Sequence, residues 1–244
     1  MGTRMKLLTV GLVLVTAAMA GCSSTTGSSG AIQDEVPQGA SCADGGVCVV
    51  GDSGPGGGVV FYASLTAFAC GANMSSTCNY LEVAPNLWNP DSKISCKAAT
   101  GGTSCGGSVQ TTSDFSSTGL GFPWCTGSGG TASIDQEFHN GDIGTGFANT
   151  TVMLPVCNPG DAGNVARSYT GGGLTDWSLA SLLELSELYS YNNRAAIGGF
   201  NSGSYWSSSQ GSAKLSSAHT FSSGGGVQGL SKSITNGVRP IRAF

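Results

Sequence analysis

Eight cysteines carry most of the covalent chemistry this sequence can do: Cys42, Cys48, Cys70, Cys78, Cys96, Cys105, Cys125 and Cys157. Thiols in such numbers either oxidise in pairs or ligate a metal. No CxxC pair occurs, and the two histidines, His139 and His219, are not spaced as a zinc site requires. Four disulfides and no metal are therefore expected. Proximity in sequence pairs Cys42 with Cys48, Cys70 with Cys78 and Cys96 with Cys105, which leaves Cys125 for Cys157. The last pair closes the longest loop and should stabilise most in the chain-entropy picture. A second set is non-covalent. Asp176, Trp177, Trp206, Ser207 and Ser208 combine aromatic faces with hydroxyls and a carboxylate, the ingredients of a sugar-stacking site. The same residues also suit a core in which each indole N–H finds a partner.

Three further motifs have plainer readings. Gly51-Asp52-Ser53-Gly54 resembles a serine-protease nucleophile, but both histidines lie downstream, whereas that family's histidine precedes its serine. Gly144-Thr145-Gly146-Phe147-Ala148-Asn149 mimics half of a dinucleotide loop, yet Asn149 replaces the third glycine and no βαβ pattern surrounds it, so it reads as a helix start. Asp135, Glu137, His139 and Asp142 alternate as calcium ligands can, without an EF-hand pattern, and read as a solvated loop.

The start of the chain places this chemistry outside the cytoplasm. Arg4 and Lys6 precede an apolar run, Leu7 to Ala20, too short to span a bilayer and ending in small residues. Met19-Ala20-Gly21-Cys22 resembles the bacterial lipobox, which predicts a signal peptide over 1–21 and lipidation of Cys22. Residues 22–41 are rich in Ser, Thr and Gly and read as a flexible linker. The expected location is the cell membrane or outer membrane, with the domain outside the cytoplasm. Where an outer membrane exists, Ser23 after the lipidated cysteine favours display there.

The elements that must position these groups come from an unusual composition. Forty of 244 residues are Gly and only 10% are charged. Four Trp, six Tyr and nine Phe exclude a wholly disordered chain. Without Arg4 and Lys6, eight basic residues face 14 acidic ones, a net charge of -6 that argues against nucleic acid as a partner. Val59 to Ala63, after the turn Gly54 to Gly58, and Tyr80 to Pro85 read as strands, and 86–133 as long loops pinned by disulfides. Helices are expected from Thr145 or Gly146 to Leu154, from an Asp161 cap along Ala162, Val165, Ala166 and Tyr169, and from a Ser181/Glu184 capping box along Leu185, Leu188 and Tyr189. Short antiparallel strands should fill Ser204 to Phe244. The expected class is α+β in one domain over 42–244, with the first and last strands in one sheet.

Val50 to Tyr62, Leu81 to Pro85, Ile143 to Thr150, Asp176-Trp177, Ser181 to Tyr189, Gly198-Gly199-Phe200, Tyr205 to Ser209 and Val238 to Phe244 together resemble one bacterial surface-domain family. It is named after the C-terminal domain of the Legionella collagen-like adhesin and was formerly a domain of unknown function. The resemblance covers about residues 46–244. It implies a C-type-lectin-like exported domain, expected to act in adhesion or in recognition of a ligand, a glycan or surface protein being the partner; with no nucleophile and base within reach by motif, no catalysis and no cofactor are expected. In the adhesin it implies binding of sulfated glycosaminoglycans. Here the acidic balance offers no broad basic field, and Arg239 and Arg242, three apart, should face opposite sides of a strand. Formylglycine-generating oxidases share the C-type-lectin-like character but use two reactive cysteines late in the chain, and none follows Cys157. A purely structural envelope role is the remaining alternative.

Overall fold

A computed structural model describes residues 40–89, 94–95, 111–112, 114, 121–136, 141–200 and 202–244. The leader, Cys22, most of the linker, the Cys96–Cys105 pair, Glu137 and His139 lie outside the described residues. Along the chain run β1 (Val59–Cys70), β2 (Ser76–Val83), β3 (Ile94–Ser95), β4 (Thr111–Thr112), β5 (Phe122–Pro123), α1 (Gly146–Met153), α2 (Ala162–Ser168) and β6 (Ser178–Leu179). Then follow α3 (Leu182–Ser190), α4 (Arg194–Ile197), β7 (Ser204–Gln210), β8 (Leu215–Thr220), β9 (Val227–Ser231), β10 (Thr235–Asn236) and β11 (Pro240–Ala243). This is a mixed α/β arrangement of antiparallel sheets with few, short helices. No helix among the described residues is long and apolar enough to cross a membrane.

The principal sheet has the order β1-β2-β11-β6, so the first and last strands do share a sheet. Alternation sets its two faces. On β2, Leu81 and Val83 point to one side and Glu82 to the other. In β11, Ile241 sits opposite Val83 and Arg242 opposite Glu82. β1 is longer than its apolar run suggested, because it continues to Cys70, where a disulfide to Cys78 ties it to β2. Its register with β2 shifts between Ala63 and Phe68, and Leu65 in that bulge is fully exposed. The disulfides Cys42–Cys48 and Cys125–Cys157 are present as well, with Cα separations of 4.7 and 4.9 Å.

α3 packs Leu185 and Leu188 with Phe61, Leu81, Val83, Tyr205, Phe221 and Ile241 in one buried cluster. Both capping-box bonds exist: Glu184 N–H donates to Ser181 Oγ at 3.3 Å, and Ser181 N–H to Glu184 Oε2 at 2.6 Å. A second cluster gathers Trp88, Trp124, Trp177, Trp206, Met153 and Leu179. Burying each such side chain contributes roughly 1.5–3 kcal/mol. β7, β8 and β9 form a three-stranded antiparallel sheet over Ser204 to Ser231, where aromatic and β-branched positions implied strands. One cap differs from expectation. Asp161 stands at the N-cap of α2, but its carboxylate accepts from Thr126 N–H, Thr126 Oγ1 and Asn158 N–H, fastening a loop in place of the helix.

Candidate functional site

The expected sugar-stacking residues are interior ones. Trp177 and Trp206 are buried, as are Ser207 and Ser208. Trp177 Nε1 donates to Gly171 O at 3.1 Å, and Trp206 Nε1 to Phe122 O at 2.7 Å. An aromatic face stacks on a sugar only if the sugar can reach it, so this set serves the core and does not form a surface site. Asp176 is partly exposed, but its carboxylate accepts from Arg242 Nε at 2.6 Å.

The other motifs resolve similarly. The glycine turn after Ser53 wraps the buried Glu82 carboxylate, which accepts from Gly56 N–H at 3.0 Å, Gly58 N–H at 3.1 Å and Arg242 Nη1 at 3.0 Å. A side chain at Gly56 would collide with Trp177 and Glu82, which is why glycine stands there. Ser53 forms a bridge to Val59 at the edge of this turn. The dinucleotide-like loop is equally committed to protein: Gly144 N–H donates to Glu184 Oε1 at 2.7 Å. Burial pushes the Glu184 carboxyl up to about 7, against backbone donors that pull it down. Asp135 and Asp142 are exposed. Cys125, Cys157 and Asp161 gather closely enough to suggest metal ligands, but the sulfurs are bonded to each other and Asp161 is already hydrogen-bonded three times.

Of the terminal basic residues, Arg239 is buried and Arg242 partly buried. Arg239 makes a two-pronged pair with Asp114, Nε to Oδ1 at 2.5 Å and Nη2 to Oδ2 at 2.7 Å, with neither side chain exposed. Trp88 Nε1 and Tyr205 Oη donate to the same carboxylate, each at 2.9 Å. Arg239 also donates to Ala84 O and Gly198 O. The pair thus holds up whatever lies over Gly198.

What lies there is an open cleft of about 520 Å³, lined by Tyr191, Asn192, Arg194, Phe200, Phe221 and Ser222 among others. The size is that of a small-molecule site, about 300–1,000 Å³. Phe200 and Phe221 stack at 5.2 Å, and the Arg239 guanidinium lies 4.0 Å from the Phe200 ring centre. The Arg194 guanidinium sits over two rings, 4.6 Å from Tyr189 and 4.9 Å from Phe221. It makes no ion pair or side-chain hydrogen bond among the described residues. Partial burial lowers its pKa. His219, stacked 4.3 Å from Tyr189, is also lowered by burial. Sequence reading missed this cleft. α4 is only four residues long and has no apolar period, and the turn after it depends on positive φ at Gly198 and Gly199. The Gly-Gly-Phe block was the one available signal.

The chain matches no protein-family model and no curated protein sequence.

Proposed function

We propose that this chain is a lipid-anchored cell-envelope protein, held at Cys22, whose C-type-lectin-like domain acts in adhesion or ligand recognition through the Arg194 cleft. On this reading it belongs with the surface domains named after the Legionella collagen-like adhesin, and it is not an enzyme. The observation that carries the reading is a partly buried guanidinium without an anionic partner among the described residues, in a cleft of about 520 Å³. Desolvating a cation costs free energy that a ligand can recover. Three disulfides agree with an oxidising compartment. The bond between Cys125 and Cys157 also leaves these two without the free thiols an oxidase relative would use.

The experiment is binding of the full-length protein to a broad array of glycans and envelope fractions. It is compared with Ala195→Trp, which fills the cleft from an exposed position. Saturable binding lost in the variant is expected. Silence across the array, or binding that the variant leaves intact, overturns recognition through this cleft. Labelling with radioactive palmitate, lost on Cys22→Ala, tests the anchor separately.

A further inference from the structure

We propose that the Arg194 cleft selects a ligand bearing one carboxylate on a hydroxylated ring, an acidic monosaccharide unit, with Arg194 as its charge partner. The inference rests on the recognition reading above and adds the ligand's chemistry.

Charge narrows the choice first. Among the described residues Arg194 is the only cation lining the cleft, and the nearby Arg239 is already neutralised by Asp114. A cation without an ion pair among those residues matches one negative charge. A phosphate monoester carries a second charge that nothing in the lining would balance. An extended polyanion would also meet the negative balance of the rest of the chain. The planar guanidinium fork suits a carboxylate, whose two oxygens can accept in parallel.

The remaining lining argues for a hydroxylated partner. Asn192, Ser222 and Ser223 supply amide and hydroxyl groups, while Tyr191 supplies ring surface; Phe200 is already taken up by Phe221 and the Arg239 guanidinium. A tyrosine ring against a pyranose and short polar side chains against its hydroxyls make a mixed site that neither an apolar acid nor an inorganic anion would use fully. The cleft is open and about 520 Å³ in volume, enough for a terminal unit whose chain continues into solvent.

The test is isothermal titration of the full-length protein in detergent with glucuronic acid and N-acetylneuraminic acid, against glucose and glucose 6-sulfate. Binding of at least one acid is expected, with glucose weaker by about tenfold or more, as loss of a charge-assisted hydrogen bond implies, and with the sulfate ester weaker than the acid because its less basic oxygens accept more weakly than a carboxylate's. Arg194→Gln should weaken the acid by about tenfold or more and leave Arg194→Lys intermediate. Near-ultraviolet circular dichroism checks each variant's fold, and Ala195→Trp provides an independent block if Arg194→Gln does not fold. Equal binding of glucose or of the sulfate ester, indifference to both the Arg194 and Ala195 changes, or no heat from either acid at millimolar concentration would overturn the proposal. If a neutral array ligand still binds and is lost in Ala195→Trp, recognition through the cleft stands while the carboxylate assignment falls.

Discussion

Two arginines, Arg239 and Arg194, lie on opposite sides of the Gly198–Phe200 turn and are used in contrasting ways. Arg239 is fully buried, pairs with Asp114 through two bonds and shares that carboxylate with a tryptophan and a tyrosine. The Arg194 side chain lies over two aromatic rings, makes no ion pair among the described residues, and opens on a cleft. A buried ion that is fully paired fixes an architecture, whereas a partly buried ion left unpaired is poised for something from outside. The difference therefore separates scaffold from site around one short turn.

The strongest way to break this contrast is to remove the buried partner. Arg239→Ala should destabilise the domain by about 3–5 kcal/mol in urea denaturation, because the buried Asp114 carboxylate loses both of its guanidinium bonds. A loss below about 1 kcal/mol would mean that the pair is not the scaffold described. The interior half is also braced covalently. Replacing Cys125 and Cys157 by Ala should cost about 3.7 kcal/mol, from a loop separation of 32 residues. Replacing Cys42 and Cys48, separated by 6, should cost only about 2.2 kcal/mol. Equal losses would point to native-state strain or residual unfolded structure in place of loop entropy.

Acidity sharpens the comparison. Glu184, in the interior, has its pKa raised from 4.5 to about 7, so the proton it holds when folded stabilises most below pH 4.5. That contribution is lost as pH rises through about 7. His219, beside the cleft, is lowered from 6.5, so its contribution is present above pH 6.5 and is lost as pH falls through its folded value. Glu184→Gln should therefore flatten the decline in denaturation midpoint toward neutrality, and His219→Phe the decline toward acid. Matching pH profiles for both variants would remove the distinction. The smallest effect belongs to Arg194→Ala, which gives up ring contacts alone and should change stability by no more than about 1 kcal/mol.

Patterned local features were legible in the sequence. The capping box at Ser181 and Glu184 requires only adjacent residues, and the close cysteine pairs Cys42–Cys48 and Cys70–Cys78 lie on neighbouring stretches of chain. What escaped depends on partners far apart. Glu82 carries no local sign that Arg242 and a glycine turn will enclose it, and Asp114 lies in a featureless polar tract until Arg239 reaches it. The tryptophans pointed to a sugar platform because residue type alone does not reveal accessibility; their indole partners are backbone carbonyls contributed by other segments. The cleft was hidden for a related reason. It is built from a single helical turn, two left-handed glycines and rings from separate elements.

β11 lies inside its sheet, bonded to β2 on one side and β6 on the other, and the Phe244 carbonyl accepts from Asn79 and Tyr80 N–H. Within that sheet β2 and β6 meet only through β11, so its four strands cannot close until the chain has been made through Ala243, and the earlier strands wait unpaired on that side until then.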